Sequence, residues 1–129
     1  PFQFDDIKNI IENPKIKSLT HFLDFSGSRY VGLLSFALNY HFGGFNVFGY
    51  HLVNLLIHIT NSFLVCWLVL LFFRAQEGFS TSTVKWIALV TAALFLIHPM
   101  QTQAVTYIVQ RFTSLVALFY LLTTVRNFF

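Results

Sequence analysis

The sequence predicts an all-α integral membrane protein, with about three membrane-spanning helices plus an interfacial helix. Three observations lead there. The 129 residues are 56% hydrophobic and only 10% charged, where a soluble domain carries about 25% charge. Residues 30–73 contain no Asp, Glu, Lys or Arg, and neither do 86–97 or 112–125. Aromatic residues make up 19% of the chain, with 17 Phe, and the mean hydropathy is +0.66. A soluble domain of this size could not hide so much apolar surface. Net charge +3 is dispersed, and no basic stripe argues for nucleic acid. Cys66 stands alone in an apolar run, so no internal disulfide can form.

Residues 1–29 alone have soluble-like composition, with Asp5, Asp6, Lys8, Glu12, Lys15, Lys17, Asp24 and Arg29. Asp6 is placed to cap a short helix over 7–12, which Asn13-Pro14 ends. A second short helix is expected over 18–25, closed by Ser26-Gly27-Ser28. Residues 29–40 read as a helix with Tyr30, Leu33, Leu34, Ala37 and Leu38 on one face, ended by Gly43-Gly44. At roughly 18 Å it is too short to cross a bilayer and should lie at the interface. Residues 1–48 thus form a loop region and 49–129 the membrane region.

The first span is 49–73, roughly 37 Å as a helix. His51, Asn54, His58 and Asn61 share one of its faces, at spacings of three and four. In lipid such a stripe should point at protein or water. Hydrogen bonds between packed helices are the plain reading; a metal site from His51 and His58 lacks a nearby acid. Residues 74–85 form a loop. The next apolar stretch must borrow from Ser80 onward to make a span over 80–97, or else end below the surface. The last span is 112–129.

Between the last two spans lies a polar island, residues 98–111. It holds His98, Pro99, Gln101, Gln103, Gln110 and Arg111. A minimal turn needs a few small polar residues, so this hydrogen-bonding capacity points to a surface that meets a polar ligand. Residues 101–110 could form a short amphipathic helix.

Several groups of residues, in order, carry a resemblance. They are Phe4-Asp5-Asp6; Glu12-Asn13-Pro14; Arg29 with Leu34-Ser35-Phe36-Ala37-Leu38-Asn39-Tyr40; Phe48-Gly49-Tyr50-His51-Leu52-Val53-Asn54-Leu55-Leu56-Ile57-His58; and His98-Pro99 with Thr102, Ala104, Val105, Arg111 and Ser114-Leu115. The set resembles the membrane domain of the transmembrane and tetratricopeptide-repeat (TPR) proteins, similar to the GT-C glycosyltransferases, over nearly the whole chain. The run Val109-Gln110-Arg111-Phe112-Thr113-Ser114-Leu115 looks like the bacterial branch, which implies an inner-membrane location.

The resemblance implies a fragment of a larger GT-C-like membrane domain, with residues 1–48 as an extracytoplasmic loop, a helix upstream and repeats downstream. It implies transfer of a sugar from a polyprenyl-phosphate donor to an acceptor hydroxyl on the extracytoplasmic face. Asp5 or Asp6 would then be the general base or would hold a divalent metal, Mg or Mn. Arg111, with His98, Gln101 and Gln103, would meet the phosphate; a guanidinium matches phosphate oxygens bidentately. Without a ligand, Asp5 and Asp6 would only cap a helix, and Arg111 would be an interfacial anchor. Gln103 and Thr113 stand where many relatives carry Glu and Asp. An alternative reading is therefore a non-catalytic accessory subunit packed on other membrane subunits and lipid. Basic residues divide unevenly: Arg74, Lys85 and Arg126 mark one side, while Lys8, Lys15, Lys17, Arg29 and Arg111 mark the other, and counting alone puts the N-terminal segment in the cytoplasm, against the resemblance.

Overall fold

The structure, a computed structural model, describes residues 2, 5–23, 29–74, 76 and 78–128. Phe4 and the expected closure at Ser26-Gly27-Ser28 lie outside the described residues. Five α-helices and several single turns follow in order: α1 Tyr30–Gly43, α2 Val47–Arg74, α3 Thr81–Ile97, α4 Thr102–Thr106 and α5 Arg111–Arg126. No strand occurs among the described residues.

The expected helix over 7–12 is a single wide turn, Ile7–Ile11, closed by the Glu12 amide on the Ile7 carbonyl at 2.9 Å. Asp6 does not cap it, because its own backbone is already helical and its carboxylate is engaged elsewhere. Asn13 instead caps the next turn, Pro14–Lys17, accepting from the Lys15 amide. These turns bury Ile10, Ile16 and Phe22 against Phe36 and Ala37 of α1, Tyr50 of α2 and Ile108. The loop region therefore folds down as an apolar plug on one end of the helices.

Helix α1 continues past Tyr40 to Gly43, and the expected Gly43-Gly44 stop ends it. Gly44 takes φ +58 and its amide bonds the Tyr40 carbonyl at 2.8 Å. Near the start of α1, Gly32 lies against Phe112. A Cβ built on it would stand 2.2 Å from the ring, so only glycine allows this approach.

Two helical stretches, Val47–Arg74 and Ile108–Arg126, are long and apolar enough to cross a membrane. The third expected span is a shorter apolar helix. Helix α3 has 17 residues, roughly 26 Å against a hydrocarbon core of about 30 Å. Ser80 caps its start through the Thr83 amide. Pro99 ends it by forcing His98 out of the helical region.

Side-chain bonds fix how the helices pair. His58 and Ser62 of α2 donate to the carbonyls of Leu96 and Ala92. One number rises as the other falls, so α3 runs antiparallel to α2. Asn54 and Asn61 donate to the carbonyls of Ile108 and Ser114, so α5 runs parallel to α2. Phe63, Trp67, Trp86, Val116 and Tyr120 are exposed on the outside, the arrangement of a bundle that faces lipid.

Candidate functional site

The polar face of α2 meets residues 96–110. Helix α3 ends beside His58, about three turns below the start of α2. From there the chain climbs back along α2 in an irregular course: a turn at Pro99–Gln101, α4, a break at Tyr107 and a turn at Ile108–Gln110. The expected amphipathic helix over 101–110 is thus interrupted. Irregular backbone at this depth needs partners, since an unpaired group in lipid costs several kcal/mol. The stripe supplies them. The His58 Nε2 bonds the Leu96 carbonyl at 3.1 Å, and the His51 Nδ1 bonds that of Val105 at 3.0 Å. Asn54 Nδ2 reaches the carbonyls of Tyr107 and Ile108. Each imidazole must donate the proton here, because a carbonyl only accepts.

Arg111 lies at the centre of this packing and is fully buried. Its Nε donates to Asn54 Oδ1 at 2.7 Å and its Nη1 to Asn39 Oδ1 at 2.8 Å. The Nη2 donates to the Tyr50 carbonyl at 2.9 Å, and Nη1 also faces the Ser35 carbonyl at 3.3 Å. The guanidinium stacks on Phe36, 4.5 Å from the ring centre. All these partners are protein atoms, so the side chain ties α1, α2 and α5 together and does not open onto a surface. Asn54 has a double role: its oxygen holds Arg111 while its nitrogen holds the backbone just before it.

The first loop joins the same place. The Asp6 carboxylate is 1% exposed and accepts the Val109 amide at 2.8 Å. Asp5 is exposed beside it, and its carbonyl accepts from Asn9. The acid pair and the polar island, 103 residues apart, therefore meet. Among the described residues no group of three His, Cys, Asp or Glu gathers.

His98, Gln101 and Gln103 lie on the outer side of the island. His98 and Gln103 are exposed and Gln101 half-buried. A cleft of about 250 Å³ opens between α2, α3 and α5, with His58, Asn61, Gln101, Gln103, Gln110 and Thr113 in its walls. A neighbouring cavity shares His58 and Gln101 and adds His98, Ile59 and Leu96. The structure thus brings His98, Gln101 and Gln103 to one surface, while Asp6 and Arg111 are inside.

The chain is 32% identical over 143 residues to human protein O-mannosyl-transferase TMTC4. It is 33% identical over 135 residues to fruit-fly Tmtc3 and 37% over 112 residues to tmtc2 of Xenopus laevis. The chain is a homologue of the TMTC protein O-mannosyl-transferases. The matches cover 95%, 84% and 81% of the chain, which spans only 19%, 15% and 12% of those TMTC proteins. No family model and no solved structure matches.

Two partners of Arg111 were not picked out from sequence, Ser35 and Asn39. Their signal was present: two polar residues four apart in an apolar helix share a face. Gln110 and Thr113 also escaped notice as cleft residues. Their mutual hydrogen bond, 3.0 Å from the Thr113 hydroxyl to Gln110 Oε1, forms only when α5 begins at Arg111.

Proposed function

We propose that this chain forms part of a membrane glycosyltransferase that moves a sugar from a polyprenyl-phosphate donor to an acceptor hydroxyl on the extracytoplasmic face. Its TMTC relatives are named protein O-mannosyl-transferases. The observation that carries the reading is the bond from the Val109 amide to Asp6. It anchors Asp6 at Val109, next in sequence to Gln110, which is part of the cleft wall.

Asp5, exposed next to the anchored Asp6, is the base. It takes the proton of the acceptor hydroxyl as that oxygen attacks the anomeric carbon. The bond from that carbon to the phosphate oxygen breaks, and polyprenyl phosphate leaves. His98, Gln101 and Gln103 are the phosphate-side contacts, while Arg111 positions the segment that carries them. The apolar groove between α2 and α3, about 220 Å³ and lined by Ile59, Phe63, Cys66, Leu89, Ala92 and Leu96, suits the prenyl chain. It shares Ile59 and Leu96 with the cavity below His98 and Gln101. A divalent ion has one exposed carboxylate to meet here, so the base step is proposed without one. The Val109–Leu115 variant favours a bacterial inner membrane.

The test uses the full-length protein. Asp5→Asn should abolish transfer from a polyprenyl-phosphate sugar, while the folded yield stays normal because the side chain is exposed. Full transfer by Asp5→Asn would overturn the base assignment.

A further inference from the structure

Among the described residues, Asn61 Oδ1 is buried without a hydrogen-bond partner. The residue is 2% exposed, and its Nδ2 is spent on the Ser114 carbonyl at 3.0 Å. A buried acceptor left unpaired is costly, and native structures keep few of them. This one lies in the wall of the 250 Å³ cleft. The space exceeds the roughly 30 Å³ that one water occupies.

The chemistry of the walls is specific. Gln101, Gln103 and Gln110 bring amides, Thr113 a hydroxyl and His58 the imidazole nitrogen not used on Leu96. Every one can pair with a hydroxyl group as donor or acceptor. Phe95 and Ala117 give an apolar wall beside them. Among the described residues no Asp, Glu, Lys or Arg lines the cleft. A phosphate placed here would find no cation, whereas binding sites for neutral ligands combine an apolar wall with a few placed polar groups.

We infer that this cleft is a subsite for a neutral, polyhydroxylated ring, the sugar portion of a substrate, with Asn61 Oδ1 accepting a hydroxyl proton at its floor and Gln110 and Thr113 at its rim. The inference rests on the transferase reading and narrows it: the sugar enters between α2 and α5, Gln101 and Gln103 turn to the sugar rather than the phosphate, and the phosphate stays outside, by His98. Asn61, Gln110 and Thr113 become specificity residues, distinct from the base.

The experiment titrates full-length protein in lipid nanodiscs with methyl hexopyranosides of different stereochemistry, and separately with inorganic phosphate, by ligand-observed NMR. The wild type should bind at least one hexoside saturably. Gln110→Leu and Thr113→Val should each weaken that binding about tenfold, the loss of roughly one hydrogen bond. Should either variant fold poorly, hexoside protection of Thr113→Cys from a maleimide gives the same information. No saturable hexoside binding by the wild type, or phosphate competing for the same cysteine in place of sugar, overturns the inference. Hexoside binding without any sugar transfer leaves the subsite standing and sinks the transferase reading. Transfer with an unchanged KM for the donor in both variants does the reverse.

Discussion

Arg111 donates to acceptors that sit 57 to 76 residues away in sequence, on α1 and α2. That is why sequence could not separate its roles. At a helix start, an arginine bound for phosphate, for the interface or for the interior looks the same. The structure gives a discriminating substitution. Lysine keeps the charge but offers a compact ammonium in place of a planar fork. Arg111→Lys should leave acceptors among Asn54, Asn39, Ser35 and Tyr50 unpaired, each at about 1–3 kcal/mol. The expected outcome is a large loss of folded protein, seen as a collapsed monodisperse peak in size-exclusion chromatography. A normal peak with weakened donor binding would restore the phosphate role. Asp6 was legible as a singled-out acid. That its partner is the Val109 amide, not its own helix, was not, because the contact exists only once the loop folds onto the island.

At the scale of elements, the polar stripe on α2 was readable from spacing alone, and helix-to-helix bonding was the natural reading of it. What spacing could not reveal is that the stripe serves carbonyls of an irregular segment more than a facing helix. The break at Tyr107 follows from this, since two adjacent carbonyls turn toward one Asn54 amide. Asn54→Leu should therefore loosen residues 105–111 selectively. Hydrogen exchange of these amides should rise well before that of α2 itself; uniform exchange across both would contradict the assignment. The α1–α5 crossing offers a second check. Gly32→Ala places a methyl into Phe112 and should destabilise the protein, whereas adding Phe112→Ala should recover most of the Gly32→Ala loss in a double-mutant cycle. Independent, additive losses would show that the two helices do not touch. The length of α3 was also half-legible: the apolar run alone is short, and with its start at Thr81 it still has only 17 residues.

The whole molecule sorts its connections to two sides. The first loop, the start of α2 and residues 98–110 share one side, and residues 76 and 78–80 occupy the other. This holds whichever side is extracytoplasmic, which the scattered basic residues could not decide. In the full-length protein in intact membranes, Lys15→Cys and Thr102→Cys should react with an impermeant maleimide from the same side. Thr81→Cys should react only from the opposite side. Labelling of Lys15→Cys and Thr102→Cys from different sides would refute the antiparallel arrangement of α2 and α3. Membrane-type composition, two of the three expected membrane-length helices and the two interacting segments were legible in the sequence. The site was legible as a set of polar residues but not as a cleft, because its walls come from four separate stretches of chain.

The α2 stripe also sets a timetable for biosynthesis. Asn54 waits for Ile108, and Asn61 for Ser114, each 53 or 54 residues downstream. At about 5–20 residues per second the interval is roughly 3–11 s. Throughout it, α2 carries unmet polar groups that lipid would penalise. The ribosome and its insertion machinery must therefore shelter α2 until α5 emerges, and release the helices into the bilayer as one unit.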